Sequence, residues 1–462
     1  MKKNKKKAFT LVELLAVILI LAVILIIAVP QIMKTIKTAK LKSIEGSARL
    51  IATNADKDYL AQQAINSSYN ATSIPCSDVA KLSDDYSSCS ITYDSNGIAT
   101  VKLKGASGGK FDKIKCTGTK DEMNCTEITP IPGYTDAAEY LASLCTGTCP
   151  KSEDSDGIVN ENGMIQDKYG NYRYQGSNPN NYVYFNCTDN SNPTSSTCEI
   201  WRIIGLFDER IKLVRKDAIG SFSWDTTDSS ISNGWGINQW GPSTYTDGTP
   251  YEGADLMREL NGDYLNSSLT ANTLWYNGAS NKKEGTFNKD YVLKSDAQEL
   301  IGDATWFLGG VPYVDGEPLQ GKITLEEAYA YERGTLGKIC TSGTHCTDEV
   351  VRTYTWTGKV GLIYPSDFGY ASGNTTGEKP CSSNISHGAR LCDNNWMSSY
   401  GWTISPAPRT STAVNVWAAY DMNSSSAYAT SAFHRIKPSV YLIPGVQMKG
   451  SGTTADPYVF AE

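Results

Sequence analysis

The spacing of apolar residues along this chain changes several times, and each change marks a new element. Leu14 to Val29 is an unbroken run of 16 apolar residues, preceded by Lys2, Lys3, Lys5, Lys6 and Lys7. Phe9 to Val29 spans 21 residues, about 32 Å as a helix, enough to cross a bilayer. One carboxylate, Glu13, interrupts that stretch at a cost of roughly 2.5–3.5 kcal/mol on translocon-type insertion scales. Beyond Pro30 the pattern becomes one-sided. Leu41, Ile44, Ala48, Ile51, Ala55 and Tyr59 recur every three or four residues, as expected of a helix packed on a globular head. Lys34, Lys37, Lys40, Lys42 and Arg49 fall on its other faces and read as contacts to lipid headgroups or neighbouring chains. The helix should fade near Ser67–Asn70, where SSYNATSIP supplies turn residues.

A period of two follows. CSITYDSNGIATVKLKG alternates on either side of Asp94-Ser95-Asn96-Gly97, a hairpin signal. FDKIKCTGTKDEMNCTEI repeats the pattern with a cysteine on each arm, so a disulfide could clip that hairpin. TPIPGY reads as a boundary and DAAEYLASL as a short helix. From about Gly163 the chain is rich in Trp, Tyr, Gly and Asn. Short strand-like runs (NYVYFNC, EIWRIIGLF, RIKLVRK, KVGLIYP, PSVYLIPGV, DPYVF) surround one helical pattern, GADLMRELNGDYLN. The expected fold class is α+β: a long N-terminal helix with a small antiparallel β head, then a large β-rich α+β domain.

Composition narrows the function. The 462 residues carry a formal charge of −7, and without the five leading lysines 37 cations face 49 acids, giving −12. A chain so acidic has no general attraction for nucleic acid. Twelve cysteines fall as near neighbours: Cys76/Cys89, Cys116/Cys125, Cys145/Cys149, Cys187/Cys198, Cys340/Cys346 and Cys381/Cys392. All follow the apolar segment, and an even count beyond an export segment reads as disulfides made in an oxidising compartment. Zinc is disfavoured, because no pair has Cys-x-x-Cys spacing and the chain holds three histidines. Connectivity stays open at this point.

Three readings compete for the N-terminus. A cleaved secretory signal has a shorter apolar core and a small-residue site after it, which is missing here. A plain signal anchor fits the length but leaves Glu13 unexplained. The third reading explains it: KKKAFTLVELLAVILILAVILIIAVP resembles the N-terminus of type IV prepilins and pseudopilins. That resemblance implies a basic leader, residues 1–8, cut between Ala8 and Phe9 by a prepilin peptidase that methylates the new amine. Ala8 departs from the family's usual glycine but is still small. The resemblance further implies that Glu13 pairs with the Phe9 amine of a neighbouring pilin subunit during assembly. One buried charge pair would then set the axial register. Pro30 takes the place of the family's tolerated helix kink. The partners implied are other pilin subunits, the peptidase and the cytoplasmic membrane, with an extracellular filament or the cell surface as destination.

The later phrases CEIWRIIGLF, LVRKDAIGSFSWD, GLIYPSDFGYA and KPSVYLIPGV look like a module recurring in surface proteins and pilin-like proteins of Gram-positive bacteria, with no activity attached. Enzyme signatures are thin: there is no G-x-S-x-G elbow, P-loop, H-E-x-x-H or strand-borne GxGxxG. His345, His387 and His434 lie in no triad context. KSEDSDGIVNENG matches part of a calcium loop but lacks the ligands at its first and twelfth positions, so a linker is favoured. No metal and no cofactor are expected. Trp224, Trp235, Trp240, Trp396, Trp402 and Trp417 stand among Gly, Asn, Ser and Asp, and are candidate contacts to a carbohydrate or protein ligand. Against this, tryptophans often fill a β-rich core. C-type-lectin-like folds share the Trp/Gly/Asn-rich, disulfide-clipped texture, as an analogy of fold.

The expected divisions are the 1–8 leader, a 9–67 helix with its membrane half at 9–30, a 68–129 head, a 130–162 linker holding the short helix, and a 163–462 surface domain. The function expected is that of a non-enzymatic, type IV pilin-like subunit, minor or tip-located, with an adhesive or recognition domain. The alternatives are a pseudopilin of a secretion or DNA-uptake machine, and a membrane-anchored surface protein or enzyme.

Overall fold

A computed structural model describes residues 11–65 and 69–461, less 152–158, 227–235, 267–274, 277–283, 315–324, 337–345, 348–354, 373–394, 408–414, 429–433 and several shorter stretches; for 11–30, 417–420 and 423–428 only backbone is described. The chain divides into two compact units, Met1–Thr129 and Pro130–Glu462.

In the first unit, helix α1 (Leu11–Ile65) is continuous through Pro30. Its apolar stripe is the reason a head forms at all. Ile44, Ala48, Ile51, Ala52, Ala55 and Tyr59 are buried against Ile91, Val101, Leu103, Ile114 and Met123 of an antiparallel sheet. That sheet runs β1 (Ser73–Ile74), β2 (Tyr86–Tyr93), β3 (Ala99–Gly105), β4 (Ile114–Gly118), β5 (Met123–Glu127) in simple sequence order. Alternation sets its faces: along β3, Ala99, Val101, Leu103 and Gly105 point inward. The β2–β3 turn is fixed by Asp94, whose Oδ1 accepts from the backbone N–H of Asn96 and Ile98, both at 2.9 Å. Gly97 follows at φ +76°, and a Cβ there would sit 2.2 Å from the Tyr59 ring. Only glycine satisfies both demands. Asp56 ties helix to sheet, accepting from Ala99 N–H at 2.8 Å and pairing with Lys120 at 2.8 Å.

The second unit is built on a ten-stranded sheet. Its members are β6 (Thr135–Asp136), β7 (Met164–Gln166), β8 (Tyr172–Tyr174), β9 (Tyr182–Phe185), β10 (Glu199–Phe207), β11 (Arg210–Arg215), β12 (Val360–Gly361), β13 (Ser439–Tyr441), β14 (Gln447–Lys449) and β15 (Tyr458–Ala461). The order is β12-β13-β11-β10-β9-β15-β14-β6, with β8 also on β10 and β7 on β8. The β9–β15 pair is parallel. From Trp201 to Phe207, β10 is buried on both faces, which is why EIWRIIGLF reads as an almost unbroken apolar run. Helices α2 (Ala137–Ser143), α3 (Asp255–Asn261), α4 (Leu325–Glu332) and α5 (Pro365–Tyr370) complete the frame.

Two expectations need correction. The 130–162 stretch is not simply a linker: β6 pairs with β14, and Asp136 caps α2, which buries Ala137 and Leu141 in the second unit's core. The helical pattern 253–266 is two short helices, because Gly262 leaves helical geometry at φ −107°, ψ −91°.

Candidate functional site

The assembly segment comes first. Ala8 and Phe9 lie outside the described residues; Glu13 and Pro30 are placed by backbone only, within α1. Among the described residues no helix is long and apolar enough to cross a membrane; the apolar run Leu14–Val29 lies where side chains are not described. On the next turns the basic residues behave differently from expectation. Lys37 pairs with Glu127 at 2.5 Å, while Arg49 bonds Glu45 and the carbonyls of Lys120 and Asp121. These two cations face their own head.

Four disulfides are present among the described residues: Cys76–Cys89, Cys116–Cys125, Cys145–Cys149 and Cys187–Cys198. Cys116 and Cys125 sit directly opposite on β4 and β5, clipping that hairpin. Cys340, Cys381 and Cys392 lie outside the described residues, and Cys346 is placed by backbone alone. No group of His, Cys, Asp and Glu that could hold a metal occurs among the described residues. Most of the calcium-like loop lies outside them.

The aromatic set divides: Trp224 and Trp240 sit in the core alone, while Trp396 and Trp402 are buried and also line an open cleft. Trp224, Trp240 and Trp402 are at most 1 % exposed and Trp396 is 9 % exposed, all within one core cluster. Three of the four polar N–H groups are used inside it: Trp224 donates to Thr403 O, Trp402 to Phe222 O and Trp396 to Tyr174 O, while Trp240 Nε1 finds no acceptor among the described residues. Rings so anchored are core, because a buried indole settles where its N–H finds an acceptor. Trp235 lies outside the described residues, and only the backbone of Trp417 is given. His434 is buried against the Trp402 ring at 4.2 Å, and burial pushes its imidazole down to about 4.

Two charge clusters were not anticipated. The first is sealed. Arg173 bonds Asp167 at 2.7 Å and Asp367 at 3.1 Å; Lys212 bonds Asp367 at 2.5 Å, and all four are at most 3 % exposed. Burial works against the Asp367 carboxylate, but Lys212 and Arg173 together hold it below its usual range. Burial likewise pushes Lys212 down to about 8, partly opposed by Asp367, which leaves it charged near neutrality. Glu332, buried beside Ser366, is pushed up to about 7 by desolvation.

The second cluster is open. A cleft of about 310 Å³ lies at the end of β11. Its polar lining is Arg202, Arg215, Lys216, Arg435, Lys437 and one acid, Asp217. Trp396, Trp402, Met397, Ile363 and Val214 form its apolar lining. Arg215 is neutralised by Glu199 at 2.9 Å. Arg202 is 5 % exposed and held by Asn181 Oδ1 and Pro179 O, with the Tyr182 ring 3.7 Å and the Trp396 ring 4.9 Å away. Of the four buried Arg and Lys side chains described, Arg173, Arg202, Lys212 and Arg215, only Arg202 has no carboxylate partner among the described residues. Burial accordingly pushes it down to about 10. A signal for both clusters was on view: Arg202 and Lys212 are charges with apolar residues on both sides, Trp201 and Ile203 in EIWRIIGLF and Ile211 and Leu213 in RIKLVRK.

Comparison with known families places one part of the chain. Residues 3–29 match the prokaryotic N-terminal methylation motif. The chain thus carries a prepilin-type processing motif leading into a pilin-like helix and head. That motif implies processing by a prepilin peptidase, a membrane-anchored precursor and pilin-type assembly. No curated protein and no solved structure matches the chain, so the lectin-like texture stays an analogy and the Gram-positive module has no support.

Proposed function

We propose that this chain is a minor or tip-located subunit of a type IV pilin-like filament, which assembles through α1 and presents Pro130–Glu462 as a non-enzymatic adhesive or recognition domain. The observation that carries this reading is the joining of a methylation motif and a complete small pilin plan to a second, larger unit with its own core and its own open cleft. A subunit that only builds a shaft needs no such appendage.

Glu13 supplies the test. Replacing it by Ala removes a costly charge from the apolar segment, so membrane insertion should be unimpaired. Cleavage after Ala8 should persist, because the scissile bond lies upstream. Assembly should fail, since the Phe9 amine of one subunit loses its carboxylate and a broken buried pair costs roughly 3–5 kcal/mol. Mass spectrometry of wild-type chain should find methylated Phe9 at the mature N-terminus, and sheared filaments should lack the Glu13→Ala variant. Intact Met1 in peptidase-positive cells, or a variant that enters filaments normally, defeats the reading in favour of a plain membrane anchor.

A further inference from the structure

We infer that the cleft at the end of β11 is a binding site for a carboxylated monosaccharide, such as a uronic or nonulosonic acid unit on an acidic glycan. The inference rests on the recognition reading above and names the chemistry of its ligand. Four observations converge on it.

The cleft concentrates positive charge in a chain that is otherwise acidic. Five of its lining residues are cations, one of them, Arg215, paired with Glu199, and one is an acid, against a chain total of −7. Within this lining Arg202 is the pre-set element. Asn181 and Pro179 occupy its Nε and Nη2, two aromatic rings flank the plane, and its Nη1 makes no hydrogen bond to the described residues. A guanidinium fixed in this way loses little freedom on binding, and its planar donors match the two oxygens of a carboxylate. Desolvation without a counter-charge is a standing cost, which an incoming anion relieves.

The rest of the lining excludes a bare anion. Trp396, Trp402, Met397, Ile363 and Val214 offer apolar surface that phosphate or sulfate has no face to use, whereas a sugar ring presents C–H groups to it. Size argues the same way, since about 310 Å³ sits at the lower end of ligand pockets, ~300–1,000 Å³, and holds one ring rather than a chain. Nucleotides fit less well, since a base with its ribose and phosphate is larger than one sugar ring and about 310 Å³ is already at the small end for a pocket. Exposed Lys216 and Arg435 at the rim then draw the acid inward.

Isothermal titration of the full chain in detergent micelles tests this without any filament. The probes are glucuronate and N-acetylneuraminate, compared with glucose, acetate, inorganic phosphate and a short single-stranded oligonucleotide. At least one acidic sugar should bind with one-to-one saturation, tenfold or more tighter than glucose and acetate, and weaken as salt rises. Arg202→Gln should cut that affinity at least tenfold. The exposed double variant Lys216→Ala/Arg435→Ala should cut it severalfold, and it covers the case in which the buried substitution disturbs folding. Equal or tighter binding of phosphate or oligonucleotide overturns the proposal, as do acidic sugars that bind no better than glucose. Affinity that survives both sets of substitutions also overturns it. If titrations stay flat while filament-borne attachment persists, the cleft assignment falls and the recognition reading stands. Loss of methylated Phe9 and of filament incorporation defeats the reading alone.

Discussion

The two units solve the same problem, holding strands together outside the cell, with opposite resources. The first closes its core with one helical stripe, two disulfides and ion pairs at its surface, such as Lys37–Glu127. The second commits ionised side chains to its interior, where Asp367 serves both Arg173 and Lys212. Each unit carries two of the described disulfides, so covalent clips are common to both. A small head has too little interior to enclose a charge network as well, whereas a larger domain can surround one in which each buried charge meets its partner. The lesson is that size decides whether ionised side chains can be added to the clips.

The contrast can be broken experimentally, because all ten tryptophans lie beyond residue 200 and intrinsic fluorescence therefore follows the second unit alone. Asp367→Ala should have the largest effect. It strands buried Lys212 and takes one of the two carboxylates from Arg173, which keeps Asp167, and the fluorescence-detected unfolding transition should lose roughly 3–5 kcal/mol. An unchanged midpoint would mean the network contributes nothing to stability. The pH response comes next. His434, near 6.5 when unfolded, is held at about 4 in the folded state. The unfolded chain therefore binds the extra proton between these values, and stability should fall as pH drops from 6.5 to 4, by up to about 3 kcal/mol. Glu332 works in the opposite sense: raised from 4.5 to about 7, it costs stability as pH climbs through that interval. Separate profiles of His434→Gln and Glu332→Gln should thus shift in opposite directions from wild type. Replacing Cys116 and Cys125 by Ser should cost the head about 2–3 kcal/mol, from the closure entropy of a short loop. Hydrogen exchange would register the loss in β4 and β5, while the tryptophan transition stays where it was. Smallest of all, Lys37→Ala should shift head stability by less than about 1 kcal/mol, since both partners of that pair are half exposed. A larger shift would show the pair to be part of the helix–sheet joint.

Local patterns were legible and distant pairings were not. The stripe Ile44–Tyr59, the Asp94–Gly97 turn, the clipped hairpin and the short helix in DAAEYLASL each depend on residues a few positions apart, and the sequence displays them directly. The identity of β14 as partner of β6 depends on residues 447 and 136, which no local spacing connects. The burial of the tryptophans was hidden for a related reason. Trp224 and Trp402 have polar neighbours in sequence but apolar ones in space, because each is drawn across the core to a carbonyl some 180 positions away. The cleft shares this origin, since its lining combines β10, β11 and segments near 396–402 and 435–437. Arg202, a charge between Trp201 and Ile203, was its one sequence trace, and charge pairing could not be inferred from it.

The pairing of β6 with β14 has a mechanical consequence. Chain entering the second unit at Pro130 is fastened within six residues, through Asp136 opposite Gln447 and Ile131 N–H on Gln447 Oε1 at 2.8 Å. A pull transmitted along the chain from the first unit therefore loads this short ladder before it reaches β9, β10 or β11. Those strands carry Arg202 and Arg215 and sit deeper in the same sheet. Two residues of pairing make a weak link, so tension would peel β6 and α2 first, lengthening the connection while the cleft keeps its shape. The domain is wired to yield at its tether rather than at its grip.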